Sequence, residues 1–104
     1  MIRVFHYGGG ELGPYDDIQL AKAAWANDGY VLVAEMPGVT RASDAWRRTQ
    51  SSVWSTNPQT GVEVRNLGDQ PHRPTRLGDV IEVDGVPNIV VSMGIEVLTE
   101  AAGL

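Results

Sequence analysis

The residues best spaced for chemistry are Gly8-Gly9-Gly10-Glu11-Leu12-Gly13, which fit the G-x-G-x-x-G pattern of a dinucleotide-binding turn between a strand-like and a helix-like segment. Glu35, near the end of the next apolar run, sits where an acid would meet a ribose. Two features oppose this use. Asp16 and Asp17 place carboxylates where a pyrophosphate requires bare amides, and Pro14 separates the third glycine from the helix it should open. A chain of 104 residues is also too short for a doubly wound sheet. The glycines read better as a flexible connection, and no cofactor is expected.

Other reactive types are sparse. His6 and His72 are the only histidines, and neither stands in an i, i+4 or H-x-E setting that would hold zinc or support a general base. His6 reads as a strand residue with a satisfied ring nitrogen, and His72 as a loop residue. Asp79, Glu82 and Asp84 cluster carboxylates in a hairpin, but the pleat turns Glu82 and Asp84 outward, so no metal is expected. Ser51, Ser52 and Ser55 lie beside no glycine elbow and near no histidine, which leaves acyl transfer unsupported. The chain is therefore expected not to be an enzyme.

Recognition chemistry is better represented. Six of the eight basic groups, Arg41, Arg47, Arg48, Arg65, Arg73 and Arg76, fall within residues 41 to 76, against Asp44, Glu63 and Asp69. That segment carries a local excess of three positive charges inside a chain of net charge -5. Residues 1 to 40 hold two basic and five acidic side chains, and residues 77 to 104 hold none and five. All six are arginine, whose planar fork suits fixed hydrogen bonding better than the lysine ammonium. Trp46 adjoins Arg47 and Arg48, and aromatic and guanidinium groups presented together are favoured at protein interfaces. Trp25 and Trp54 read as packing residues. A pI near 4.8 opposes a nucleic-acid partner, because long-range repulsion must be overcome by a small basic patch.

Composition sets the frame for these residues. Hydrophobic types make up 42% and charged types 20%, the balance of a chain that folds as one domain over residues 1 to 104. The absence of cysteine excludes disulfides and thiolate chemistry, and the longest apolar run, Tyr30 to Ala34, is too short to span a bilayer. Met1 to Tyr7 lacks the apolar core of a signal peptide, so a cytoplasmic location away from membranes is expected.

The elements follow from periodicity and punctuation. Ile2 to Tyr7 is read as a first strand. Asp16 or Asp17 caps a helix bearing Ile18, Ala21 and Trp25, with Leu20 and Ala24 widening the stripe, and Gly29 stops it. Tyr30 to Met36 is a second strand ended by Pro37-Gly38, and the 22 residues between the strands allow a crossover. Trp46, Thr49 and Val53 mark a shorter helix capped by Ser43, with Arg47 and Arg48 on another face and Asn57-Pro58 at its end. Val62 to Arg65 reads as a short strand, 66 to 75 as a loop and 77 to 94 as a closing hairpin around Asp84-Gly85. A two-residue turn there would set Ile81 against Asn88. A bulged connection pairs Ile81 with Ile89 and Val83 with Pro87, gathers Ile81, Val83, Ile89, Val91 and Met93 on one face, and is the register expected. Thr99 to Leu104 are expected to fray.

Taken in order, Ala45-Trp46-Arg47-Arg48-Thr49-Gln50-Ser51, Trp54, Asn57-Pro58, Arg73, Thr75, Leu77-Gly78-Asp79-Val80-Ile81, Asp84-Gly85 and Gly94 resemble the YodL-like small proteins of phages, plasmids and bacterial genomes. The likeness covers roughly residues 30 to 98. Gln50 stands where that family has asparagine, Pro74 and Arg76 where it has two serines, and Ile95 where an aromatic follows the glycine. The resemblance implies no catalytic residue. It implies an accessory product of a phage or mobile element, of the kind that binds a host protein.

Together these features predict an α+β domain, a small mixed or antiparallel sheet with two helices and a C-terminal β-hairpin. The expected function is that of a non-enzymatic binding module for a host or bacterial protein, with Trp46, Arg47, Arg48, Arg65, Arg73 and Arg76 as its contact surface. Nucleic acid bound by the same basic segment is the alternative, and a nucleotide-binding enzyme using Gly8 to Gly13 a more remote one. The edge strands of so small a sheet leave room for a homodimer.

Overall fold

Strand β1 (Ile2–Tyr7) alternates buried Ile2, Val4 and His6 with half-buried Arg3, Phe5 and Tyr7, so both of its faces are covered. That two-sided burial organises the molecule. The computed structural model describes residues 1–8, 17–50, 63–67, 73–91 and 94–97. There the elements run β1, α1 (Ile18–Ala26), β2 (Tyr30–Met36), α2 (Ala42–Arg48), β3 (Arg65–Asn66), β4 (Val80–Val83), β5 (Val86–Val91) and β6 (Gly94–Val97). They form an α+β fold with one six-stranded antiparallel sheet, ordered β3-β2-β1-β4-β5-β6.

Each face of the sheet carries one helix. Ile2, Val4, Ala34, Met36, Ile81 and Val90 cluster with Ala42 and Ala45 of α2. Val80, Ile89, Val91 and Phe5 cluster instead with Ile18, Ala21 and Trp25 of α1. Neighbours such as Val80 and Ile81 thus serve opposite halves of the core. The Asp17 side chain accepts from the Leu20 N–H at 3.1 Å and starts α1. Asp28, not Gly29, takes the left-handed backbone that ends the helix (φ 57°), and the Gly29 N–H donates back to the Ala24 carbonyl at 2.7 Å.

Several sequence expectations change. β1 and β2 are adjacent and antiparallel, so α1 makes no parallel crossover, and the βαβ setting of a dinucleotide fingerprint is absent. Leu20 is exposed and does not widen the buried stripe. Ser43 lies inside α2; the N-cap is Arg41, whose side chain makes no capping bond. The third strand begins at Arg65, later than periodicity suggested, and β6 continues past Gly94, where the hairpin was expected to close. Gly9 to Gly13, Asp16, the three serines, Val53, Trp54, Asn57-Pro58, Val62, His72, Met93 and Thr99 to Leu104 lie outside the described residues.

The hairpin register also differs. Ile81 opposes Asn88 and Val83 opposes Val86, the tight two-residue turn rather than the bulged one. A bulge is needed only where one face of the sheet is buried and the other is wet. With both faces covered, Ile81 and Val83 can face α2 while Val80 and Ile89 face α1. Asn88 is satisfied in place, its Nδ2 donating to the carbonyls of Val86 at 2.9 Å and Ile81 at 3.2 Å. Asp84 (φ 48°) and Gly85 (φ 88°) supply the paired left-handed conformations of a type I′ turn. The turn is tied to β1: the Asp84 N–H donates to the Met1 carbonyl at 3.1 Å, and the Met1 ammonium meets Asp84 Oδ1 at 2.8 Å.

A Cβ at Gly85 would meet nothing within 4 Å, so replacing this glycine penalises backbone conformation alone. Gly85→Ala should destabilise the fold by about 1–2 kcal/mol, and Asp84→Asn, which tolerates the same backbone region, by far less. Urea unfolding of the two variants checks this.

Candidate functional site

Two polar and aromatic groupings stand out on the α2 face, one internal and one open. The internal one centres on Asp79, fully buried just before β4. Its carboxylate accepts from both terminal nitrogens of Arg73, at 2.6 and 2.8 Å, from the Tyr7 N–H at 2.9 Å and from the Arg76 N–H at 2.8 Å. This is a bidentate, charge-assisted arrangement with two further backbone donors. His6 lies beside it, its Nε2 3.0 Å from Thr75 Oγ1 and 3.9 Å from Asp79 Oδ2. The Thr75 N–H donates to the Thr49 carbonyl at 3.0 Å, and Gln50 Nε2 donates to the carbonyls of Trp46 and Thr75, each at 2.9 Å. The network thereby fastens the end of α2 to the segment preceding β4.

This cluster has the residue types of a catalytic site but the wiring of a scaffold. The four N–H groups that reach Asp79 all come from within the fold. Arg73, Thr75, Gly78 and Asp79, which carry much of the resemblance noted above, are all spent on holding the chain together. Tyr30 completes the arrangement, its hydroxyl donating to the Gly78 carbonyl at 2.6 Å. Burial first, and then the negative charge of Asp79, push its phenol well above the ordinary value of 10.0.

The open grouping lies alongside. α2 packs on β4 and β1, and beyond it a groove of about 620 Å³ runs against β5 and β6. Leu77, Val90, Val91 and Ile95 form its apolar wall, and Trp46, 38% exposed, stands on its α2 side. Arg47 is largely exposed and pairs loosely with Asp44, at 3.5 Å across one helical turn. Arg48 is half-buried, and its Nε has no acceptor among the described residues.

The structure treats the other arginines differently. Arg65 sits on β3, where it pairs with Glu63. Arg73 is committed to Asp79, and the Arg76 backbone serves the same carboxylate. The five arginines of the expected contact surface therefore do not make one surface: Trp46, Arg47 and Arg48 share α2, while Arg73 belongs to the interior network. No spacing along the chain announces the groove, since Leu77, Val90 and Ile95 come from three separate segments that meet only in the fold. Leu77 and Ile95 remain half-buried beside α2, whereas Val90 is buried at the base of the groove.

Of the glycine-rich stretch, Gly8 is described. Its N–H donates to the Gly29 carbonyl at 2.8 Å, and a Cβ there would meet Val31 Cγ2 at 3.0 Å. Close approach of two chain segments accounts for this glycine, and its amide is not free for a phosphate. Among the described residues, no three histidine, aspartate or glutamate side chains are grouped to hold a metal, and no helix is long and apolar enough to cross a membrane. Comparison with family models, with curated proteins and with solved structures found no match to the chain.

Two outcomes follow from the Asp79 network. Asp79→Ala should destabilise the protein by about 3–5 kcal/mol, since it strands a partly buried guanidinium and two backbone donors, and thermal or urea unfolding measures the loss. Because the Tyr30 phenol ionises later in the folded protein than in the unfolded chain, its contribution to stability is intact below pH 10 and is lost as pH rises further. In an ultraviolet titration of phenolate absorbance, Tyr30→Phe should remove a component that ionises above the ordinary value of 10.0.

Proposed function

We propose that this protein is a small binding module that engages another protein through Trp46 and the groove beside it. The observation carrying this reading is a large aromatic side chain left 38% exposed at the edge of an apolar groove of about 620 Å³, next to an exposed arginine. An aromatic anchor, an apolar cleft and a guanidinium rim are the ingredients of an interface hot spot. The fitting partner is a protein segment with apolar side chains for the cleft and acidic residues for Arg47 and Arg48. The resemblance to YodL-like proteins of phages and mobile elements favours a host protein as that partner.

Nucleic acid is less well supported by the same surface. Arg47, Arg65 and Arg73 each already face a carboxylate, and the net charge of -5 opposes approach to a polyanion. An enzymatic role draws no support from the Asp79 cluster, whose donors and acceptors are occupied by the fold.

Trp46 belongs to neither buried cluster, so its truncation tests recognition without dismantling the core. In quantitative pull-downs from bacterial lysate, Trp46→Ala should weaken capture of the partner by about thirtyfold, in line with a hot-spot loss of roughly 2 kcal/mol. Arg47→Glu with Arg48→Glu should reduce it further. Undiminished capture of every protein by both variants, or capture that disappears on nuclease treatment, would overturn the proposal.

A further inference from the structure

On the opposite face of the sheet, beside α1, a smaller cavity of about 270 Å³ is lined by Phe5, Trp25, Tyr30, Asp28 and Glu82. We propose that this cavity binds a methylated ammonium group, with the three rings as its walls and the two carboxylates as its counter-charge.

The rings are held at angles to one another. Phe5 and Trp25 meet edge to face, with centroids 4.9 Å apart and planes at 85°, and Trp25 and Tyr30 lie 5.8 Å apart at 58°. The rings pack against one another, and the part of each π face turned toward the cavity attracts a cation through its quadrupole. The volume corresponds to about nine waters at roughly 30 Å³ each, enough for a trimethylammonium head.

The charges agree in sign. Asp28 is exposed, and its carboxylate makes no hydrogen bond or ion pair among the described residues. The left-handed backbone at the end of α1 fixes its place beside the cavity. Glu82 accepts from Arg3 through Oε1 at 3.1 Å, and Arg3 is shared with Glu35 at 2.9 Å. Two carboxylates thus share one guanidinium, and Asp28 adds a negative charge that Arg3 does not meet. A metal ion suits the site poorly, since aromatic walls offer it no ligands. A methylated ammonium is weakly hydrated and gains from both the rings and the carboxylates.

The site lies across the sheet from Trp46 and stands whether or not the groove binds a protein. The test titrates the intact protein with choline chloride, with a peptide bearing trimethyllysine, with the same peptide carrying unmodified lysine, with guanidinium chloride at matched ionic strength and with dimethylbutanol, the uncharged carbon isostere of choline. Amide and indole NMR shifts provide the readout. Saturable shifts centred on Phe5, Trp25 and Asp28 are expected with choline or the trimethyllysine peptide, and their relative strength tells a free small cation from a modified protein tail. Choline should bind about ten times more tightly than its neutral isostere. Asp28→Asn, which keeps the left-handed turn, should weaken choline binding about three- to tenfold, and Trp25→Leu should abolish it. Equal binding of the isostere, tighter binding of guanidinium or unmodified lysine, or no saturable shift with either methylated ligand would overturn the assignment.

Discussion

The structure depends on one buried carboxylate. Asp79 draws Arg73, the backbone of Arg76 and the backbone of Tyr7 onto a single group, joining the segment before β4 to the last residue of β1. An ionised carboxylate away from water is tolerable only when fully ligated, and here four N–H groups converge on it. Through Thr75 the same region holds the end of α2, and through Tyr30 and Gly78 it reaches β2. The orientation of α2, and with it the groove beside Trp46, is a downstream result of how this one charge is satisfied.

That dependence separates the architectural residues from those free to recognise something. Arg73 and Arg47 are close in sequence character, yet one is clamped against Asp79 and the other points largely into solvent. The two sheet faces divide in a similar way. Beside α2 the free chemistry is apolar and cationic; beside α1 it is aromatic and anionic. A single small sheet thus offers two surfaces of opposite electrostatic character.

Much of the scaffold was legible in the chain because it follows from local rules. Ile2 to Tyr7 and Tyr30 to Met36 are strands as their β-branched and aromatic runs require, and Asp17 caps α1. The hairpin register was not legible, since alternation distinguishes core from solvent only when one face is wet, and both faces here are dry near Val80 and Ile81. The pairing of β1 with β2 could not be read from a connection length compatible with either direction. Trp46 and Arg47 were visible as neighbours on a short helix, whereas the groove arises from where α2 stops across the sheet. The ring cavity draws Phe5, Trp25 and Tyr30 from three different elements, and no sequence spacing reports such a meeting.

β1 occupies the middle of the sheet although it is first in the chain, and its two neighbours come from opposite ends of the sequence. Ile2 pairs with Met36 on one side and with Val83 on the other. During synthesis, β1, α1 and β2 can assemble early, but the second flank stays open until the ribosome has released the segment around residue 83. Closure of so long a loop favours slow folding, on the millisecond-to-second scale of β-rich topologies. Until then the nascent protein exposes one unpaired edge of its central strand, and its passage to the native state depends on keeping that edge from meeting another chain.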